Sequence, residues 1–323
     1  PNLWFSGVLW RCEMAATGLL LLEHFNLNVA STKLAESFFV QGLKCCKDPF
    51  RAAKIKSMHV DVGPKCQFHT AGPEFEACIA EEGSQIWRGS LTVVYKDDSD
   101  FNSAVQSCRE LAKAPDFAAS KLSVGPDQRG LPVAITCPFG NSFLLRVASL
   151  EERDGLGPES GSRDGSENSV ALGIAGASLP CKRGTARRIA DFYLRYLGMP
   201  SEEIEGGVRV RGTCQFLDFE ETDGDLPPYT GDHICIYIAD FKTCFERLSE
   251  AGLVWINPRF THLDATSNGN WDEACQYKQF RFKAITAPDG EVLLEQEHEV
   301  RMVDHGSCPL AAHVRDPHRC LKP

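Results

Sequence analysis

Long apolar runs, a basic excess and C-x-x-C cysteine pairs are all absent from this sequence. Its longest apolar run, around residues 19–22, is far shorter than the roughly 20 residues that a bilayer-spanning helix needs, so no membrane partner is expected. The net charge of −10 and the pI of about 5.4 argue against nucleic acid, because proteins that bind it usually present a basic face. The Gly-rich stretch SVALGIAGAS lacks the dinucleotide-binding spacing.

Cysteine is abundant, with 14 residues, but no C-x-x-C pair occurs. Cys66, Cys214 and Cys235 lie in runs typical of strands, where cysteine behaves as a small buried apolar residue. This pattern favours reduced thiols over a disulfide framework. We therefore expect an intracellular protein, cytoplasmic in the first instance, with an organelle left open as the alternative.

Apolar residues are unevenly distributed along the chain, and the segments that lack them indicate where one domain ends and the next begins. The Gly-, Ser- and charge-rich segment 150–169 cannot bury enough apolar surface to fold and predicts a flexible linker. At the N-terminus, Met14 opens a stretch typical of a natural start, which leaves the origin of residues 1–13 open. The predicted order is a leader or fragment, a first domain, a flexible linker, a second domain and a C-terminal tail, at 1–21, 22–149, 150–169, 170–301 and 302–323.

A pattern of one strand, one helix and two or three further strands recurs four times, at a period of roughly 60–75 residues. The tripeptide CQF, for example, occurs at 66–68 and again at 214–216, followed by His69 in the first copy and Leu217 in the second. Each unit is too small to have its own core, so the units are expected to pair into shared curved sheets. The sequence therefore predicts an α+β fold of four tandem βαβββ modules that form two curved-sheet cups.

Alternation of residue types indicates which face of each strand is reactive. In HFNLNV, His24 shares a face with two asparagines, while the intervening residues are apolar. The same alternation puts His233 with Cys235 and Tyr237, and sets Arg281 opposite two phenylalanines. Polar groups on one face and apolar groups on the other are what a reactive concave surface requires.

Several phrases together resemble a known superfamily. They are EHFNLNV, CQFH, GDHICIYIADF, QFRFKAI and LLEQEHEVR. The modules that carry them, from about residue 22 to 301, resemble the vicinal oxygen chelate proteins, which include glyoxalase I, extradiol dioxygenases and bleomycin-resistance proteins. A closer resemblance is to a plant, algal and bacterial family of glyoxalase-like proteins.

This resemblance implies that each module can offer one metal ligand from its first strand and one from its last. The matching positions are His24 and His69 in the first module, Ser90 and Arg146 in the second, a residue near Ile174 and Leu217 in the third, and His233 and Glu295 in the fourth. Ligand chemistry is thus confined to the outer modules. We predict that the first module pairs with the fourth, which would bring His24, His69, His233 and Glu295 into one cup. The alternative pairs modules within each half.

Imidazoles with one carboxylate suit a divalent ion such as Fe, Zn, Mn or Ni and leave positions open for substrate. Glu295 or Glu297 is a candidate base once released from the ion, and Arg281 is a candidate partner for a substrate carboxylate, unless it pairs with a glutamate on an adjacent strand. Tyr237 is the third candidate catalytic residue. His59 stays open as a substitute ligand, whereas His298 has the wrong parity to share a face with Glu295.

The leading expectation is a metal-dependent, glyoxalase-like enzyme with lyase or isomerase chemistry on a small oxygenated metabolite, by way of a metal-bound enolate. One alternative is an Fe(II) extradiol-type dioxygenase. The other is a resistance-type protein that binds a small molecule without catalysis. Four modules in one chain are compatible with a monomer or a homodimer.

Overall fold

Two mixed sheets form the framework of the protein. The computed structural model describes residues 18–48, 58–72, 83–128, 130–157, 161, 168–261 and 268–310. In this part of the chain the first sheet runs, from edge to edge, β14 (Gln279–Thr286), β15 (Val292–Arg301), β13 (His233–Ile238), β1 (Leu19–Asn26), β4 (Cys66–Thr70), β3 (Met58–Val62) and β2 (Cys46–Lys47). The second runs β10 (Ser201–Ile204), β11 (Gly207–Arg211), β12 (Phe216–Thr222), β9 (Ala171–Lys182), β5 (Ser90–Tyr95), β8 (Ser142–Val147), β7 (Val133–Thr136) and β6 (Ser123–Val124).

The order of the strands shows how the modules pair. In the first sheet β1 of the first module lies antiparallel to β13 of the fourth, and in the second sheet β5 of the second module lies antiparallel to β9 of the third. This confirms the predicted fold class and the pairing of the first module with the fourth. Both sheets therefore combine strands from both halves of the chain.

Each module repeats one arrangement, in which its first and last strands lie side by side and parallel. A parallel pair needs a long crossover, and a helix supplies much of it. The helices are α1 (Thr32–Glu36, continued by a π-helical turn Ser37–Gly42), α2 (Asp98–Leu111), α3 (Leu150–Leu156), α4 (Ala186–Leu197), α5 (Phe241–Glu250) and α6 (Trp271–Tyr277), with a short 3₁₀ turn at Pro115–Phe117. Ser31 caps α1 by accepting a hydrogen bond from the Leu34 amide.

Two segments are more ordered than their composition suggests. The predicted flexible linker begins as helix α3, where Ser149 and Glu152 form a capping box and Leu156 is fully buried. Local capping and one apolar anchor thus outweigh a polar composition. Strand β1 starts at Leu19, inside the predicted leader, and residues 1–17 of that leader lie outside the described part of the chain.

Gln215, from the second CQF copy, joins the two sheets. Its side chain accepts from the amide of Leu22 and donates to the carbonyls of Leu22 and Ile174, at 2.7–2.8 Å. The described cysteines are free thiols, most of them buried, and burial raises the pKa of Cys66 to about 12. No helix in the described residues has the length and apolarity that would let it cross a membrane.

Candidate metal centre

The register of the first sheet brings the ends of the chain together at its middle. Across the antiparallel contact of β1 with β13, His24 lies opposite Cys235 and Asn26 lies opposite His233. His24 and His233 therefore occupy matching positions about a local two-fold axis. Each is the first polar residue on the shared face of its strand, and the two strands come from opposite ends of the chain.

The flanking parallel strands add one residue each at the same level. His69 on β4 pairs with Asn26, the residue two after His24. By the same relation Glu299 on β15 pairs with Cys235, the residue two after His233. The two-fold axis thus relates His69 to Glu299, so the last-strand position of the fourth module is Glu299.

Distances confirm that these side chains meet. The ring centroids of His24 and His69 lie 3.7 Å apart, and those of His24 and His233 lie 5.6 Å apart. His233 Nε2 lies 3.6 Å from a carboxylate oxygen of Glu299. His24, His233 and Glu299 are all buried, while His69 is partly exposed. The structure thus brings together the three predicted histidines with one carboxylate.

That carboxylate is not the predicted one. Glu295 is 47% exposed and pairs with Lys283 at 2.9 Å, at the edge of the cup. It precedes Glu299 by four residues, or about 13 Å along an extended strand. Moreover, the pairing of β14 with β15 shifts register between Phe282 and Ala284, so simple alternation does not hold between Glu295 and Glu299. The assignment of Glu295 as a partner of the histidines is therefore corrected to Glu299.

Glu23 is a site residue that the strand pattern could not indicate. Simple alternation puts it on the face opposite His24, but β1 contains a register shift between Leu22 and His24. Such bulges re-aim side chains. The fully buried Glu23 carboxylate accordingly lies 2.8 Å from His24 Nδ1, and Glu23, His24 and His69 offer ligand atoms within 4.8 Å of one another.

Two arginines hold the carboxylates in place. Arg281 donates to Glu297 at 2.7 Å and also to Glu299, while Arg301 pairs with Glu299 and with Glu23 at 3.3 Å. Burial opposes ionisation of Glu299, but the two guanidinium groups outweigh it and hold its pKa well below the usual range. Arg281 is thus paired with glutamates on the adjacent strand. This pairing is the alternative to binding a substrate carboxylate that the sequence left open.

Tyr237 lies at the buried end of this face. It pairs across the sheet with Leu21 on one side and Arg301 on the other, and its side chain has no solvent exposure. Burial raises the pKa of its hydroxyl. Tyr237 therefore lies beside Arg301. It follows His233 and Cys235 at every second residue along the inner face of β13.

At the other end of the face, Glu297 is the centre of a polar network. Asn257 donates to both of its oxygens at 2.9 Å, and the Tyr229 hydroxyl donates to it at 3.3 Å. Burial raises the pKa of Glu297, although Arg281 opposes this. Phe260 covers the network, with its ring 5.3 Å from that of His233.

The histidines continue into a row. His59 stacks on His69 with ring centroids 3.6 Å apart, and His69 in turn stacks on His24. Burial, and then the neighbouring histidines, keep the pKa of His69 well below its usual value, and burial followed by Arg281 does the same for His233. Rings that resist protonation are in the form that binds a metal ion.

His298 lies on the opposite face, as its parity predicts. Its Nδ1 donates to the Gln296 carbonyl at 2.7 Å, so its Nε2 accepts from the Tyr193 hydroxyl at 2.8 Å. Phe282 stacks on the ring with a centroid distance of 4.3 Å. His298 is therefore part of the packing between β15 and α4.

This burial makes a pH dependence predictable, because it lowers the pKa of His298 to about 3. The unfolded chain, with a histidine pKa near 6.5, binds more protons between these values, so acid destabilises the folded state. Relative to a His298→Asn variant, we expect the wild-type free energy of unfolding to fall by about 1 kcal/mol per pH unit below pH 6. Urea unfolding from pH 7 to pH 4 measures this, and a constant difference would contradict it.

The second sheet lacks a comparable set at the matching positions. Ser90 bonds the Ser178 hydroxyl at 2.9 Å, Arg146 pairs with Glu152, and Ile174 and Leu217 are buried in the core. Among the described residues, the groups suited to a metal ion both contain His24. Leu217 therefore stands at the position where the resemblance implies a metal ligand, but its side chain is part of the hydrophobic core.

Comparison with known proteins shows the fold and leaves the activity open. No family model and no curated protein matches the chain. Among solved structures, glyoxalase I from Zea mays matches with a TM-score of 0.50 and 11% identity, over 94% of this chain and 96% of that one. The chain has the vicinal oxygen chelate fold. Two further structures match with lower TM-scores. The cppA protein from Streptococcus pneumoniae has a TM-score of 0.42 and 12% identity, over 88% of this chain and 99% of that one. The fosfomycin resistance protein FosX from Mesorhizobium loti has a TM-score of 0.29 and 13% identity, over 41% of this chain and 95% of that one.

The vicinal oxygen chelate fold accounts for the shape of the candidate centre. The first and last strands of the outer modules meet in one cup, which is where the resemblance implied that ligands would lie. With under 25% identity to these structures, the fold alone is shared, and the chemistry has to be argued from the residues of this chain.

Proposed function

We propose that this protein is a metal-dependent enzyme that carries out lyase or isomerase chemistry on a small oxygenated substrate. The observation that carries the proposal is the convergence of His24, His69, His233 and Glu299 from opposite ends of the chain. Glu299 also pairs with Arg281 and Arg301, but those ion pairs do not account for the three imidazoles gathered beside it.

The donor set fits a divalent first-row ion. Imidazole nitrogens and one carboxylate oxygen suit Fe, Zn, Mn or Ni, and a site with so few protein ligands keeps positions open for substrate. In addition, His233 Nδ1 is buried without a hydrogen-bond partner among the described residues. A bound ion would supply a Lewis acid that polarises a substrate carbonyl and stabilises negative charge on its oxygen.

Several side chains would prepare the site for this role. Glu23 accepts from His24 Nδ1, which leaves Nε2 as the ligand atom, and such outer carboxylates commonly orient metal-binding histidines. Arg281 and Arg301 fix the Glu299 carboxylate. Phe260 covers His233 and limits access of water to this end of the cup.

We assign proton transfer to Glu297, in place of the exposed Glu295. Glu297 lies opposite His233 on the neighbouring strand, and Asn257 and Tyr229 hold its carboxylate. Lys283 and Glu295 are more exposed and pair with each other at 2.9 Å, and we propose that they contact substrate as it enters.

Replacing Glu297 with glutamine tests this assignment. We expect kcat to fall by about 10²- to 10⁴-fold while the metal content stays unchanged, because the amide keeps the shape but cannot accept the proton. The assay follows turnover of a panel of α-hydroxy and α-oxo carbonyl compounds by metal-loaded protein. Full activity of the variant would remove Glu297 from the mechanism.

Metal analysis of the purified protein tests the proposed function itself. Stoichiometric metal that His24→Ala removes, together with turnover of a panel compound, would support it. Absence of stoichiometric metal after incubation with each of the four ions would instead favour the binding of a small molecule without catalysis.

A dioxygenase is the second candidate, and one observation favours it. The His233 ring lies 5.6 Å from that of His24 and 3.6 Å from Glu299, and two histidines with one carboxylate are the ligand type of many non-haem Fe(II) oxygenases. Oxygen uptake by Fe(II)-loaded protein with catechols separates the two. Uptake coupled to substrate loss would establish the dioxygenase, whereas turnover without oxygen would exclude it.

A further inference from the structure

Cys235 lies within the candidate metal centre, and the proposed function assigns it no role. It is fully buried on β13, opposite His24 on β1 and beside Glu299 on β15. Its Sγ, a nitrogen of His24 and an oxygen of Glu299 all lie within 4.8 Å of one another. A single ion could therefore reach a sulfur, a nitrogen and an oxygen at this point.

The surroundings of this thiol differ from those of other buried cysteines in the chain. Cys66 contacts the Leu22 carbonyl and Gln215 between the sheets, and Cys244 lies on α5 among apolar residues. Cys235 instead faces ionised or ionisable groups, with Arg301 two residues beyond Glu299 on the same face. Apolar packing alone does not explain a thiol at this position.

The two-fold axis makes the contrast sharper. The residue that matches Cys235 is Asn26, which lies between His69 and His233 and donates weakly to Asn28 at 3.4 Å. Besides the exchange of His69 for Glu299, the two halves of the centre thus differ at this position, with an amide in the first module and a sulfur in the fourth. Sulfur is the softer donor, and it changes which ions the centre prefers.

We infer that Cys235 is a thiolate ligand of the metal ion, beside His24 and Glu299. This rests on the proposed function and deepens it. When the sulfur–metal bond forms, the thiol loses its proton to solvent, so binding releases one proton from Cys235. A thiolate selects Zn²⁺, Fe²⁺ or Co²⁺ over Mn²⁺ and Mg²⁺, which would exclude Mn from the ions that the other donors allow.

Cobalt titration provides the test, because a thiolate bound to Co²⁺ produces a charge-transfer band in the near ultraviolet. The full-length protein, freed of metal and kept reduced, is titrated with Co²⁺ while absorbance and bound metal are measured. We expect a band that saturates with stoichiometric cobalt. It should vanish in Cys235→Ala and persist in the control Cys244→Ala. Cobalt affinity in Cys235→Ala should fall by about 10-fold or more.

The outcomes separate this inference from the proposed function. Stoichiometric cobalt without the band, or a band that survives in Cys235→Ala, would overturn the thiolate ligand and leave the metal centre standing. Failure of the wild-type protein to bind stoichiometric cobalt would overturn both. X-ray absorption of the wild-type cobalt protein decides the matter if the variant does not fold, since a sulfur neighbour in the first coordination shell is expected and its absence contradicts the inference.

Discussion

A His24→Ala variant is expected to lose stoichiometric metal and, with it, all measurable turnover. His24 is the residue common to both groups of ligand atoms in the described cup, so its removal leaves neither group complete. Loss of an outer contact alone weakens metal binding by about 10- to 100-fold, and loss of a ligand should exceed this. Metal content after dialysis against a weak chelator, together with a competition titration, measures the effect.

The matched control for this variant is His305→Ala. His305 lies near the C-terminal end of the described chain, where its Nδ1 accepts a hydrogen bond from the Ser307 amide. The His305→Ala variant should therefore leave metal binding unchanged. The wild-type metal content in both variants would mean that the chain binds metal elsewhere, and the proposed centre would fail.

The second large effect is expected from Glu299→Gln compared with Glu295→Gln. The first variant removes the carboxylate that lies 3.6 Å from His233, whereas the second removes an exposed partner of Lys283. We expect Glu299→Gln to abolish stoichiometric metal and Glu295→Gln to retain it. Equal metal content in the two variants would contradict the correction from Glu295 to Glu299.

Stability needs its own control, because Glu299 also neutralises two buried arginines. Removing one partner of a buried ion pair costs about 3 kcal/mol or more, so Glu299→Gln should unfold at lower urea. Glu297→Gln removes a buried partner of the same Arg281 without removing a proposed ligand. Loss of metal in Glu299→Gln but not in Glu297→Gln would therefore identify ligation as the cause.

The modular architecture could be predicted from the sequence because the same pattern of strands and helix recurs four times along the chain. The four modules followed from the spacing of similar segments, whereas the two cups and the pairing of the first module with the fourth followed from the resemblance and from which copies hold histidine. His24, His69 and His233 were named as candidates because the resemblance to vicinal oxygen chelate proteins implies ligands on the first and last strands of a module.

The fourth position could not be chosen in this way. Glu295, Glu297 and Glu299 alternate along one strand and share one face, so parity treats them alike. Only the register of β15 against β13 decides which of them lies level with the histidines, and register depends on contacts between residues far apart in the chain.

Glu23 and Cys235 show two further limits. A bulge in β1 turns Glu23 towards His24, and a bulge inserts one residue that no alternating pattern reveals. Cys235 was already on the inner face by parity, but a cysteine in an apolar strand resembles packing until its neighbours across the sheet are known. Both residues became visible only through pairing between strands.

The most direct test of the account is anomalous diffraction from crystals of the protein loaded with a divalent ion. We expect one strong peak in the first cup, about 2.0–2.3 Å from ligand atoms of His24, His69, His233 and Glu299. A peak elsewhere in the molecule, with these four side chains left unbound, would contradict the central claim that both ends of the chain build one metal centre.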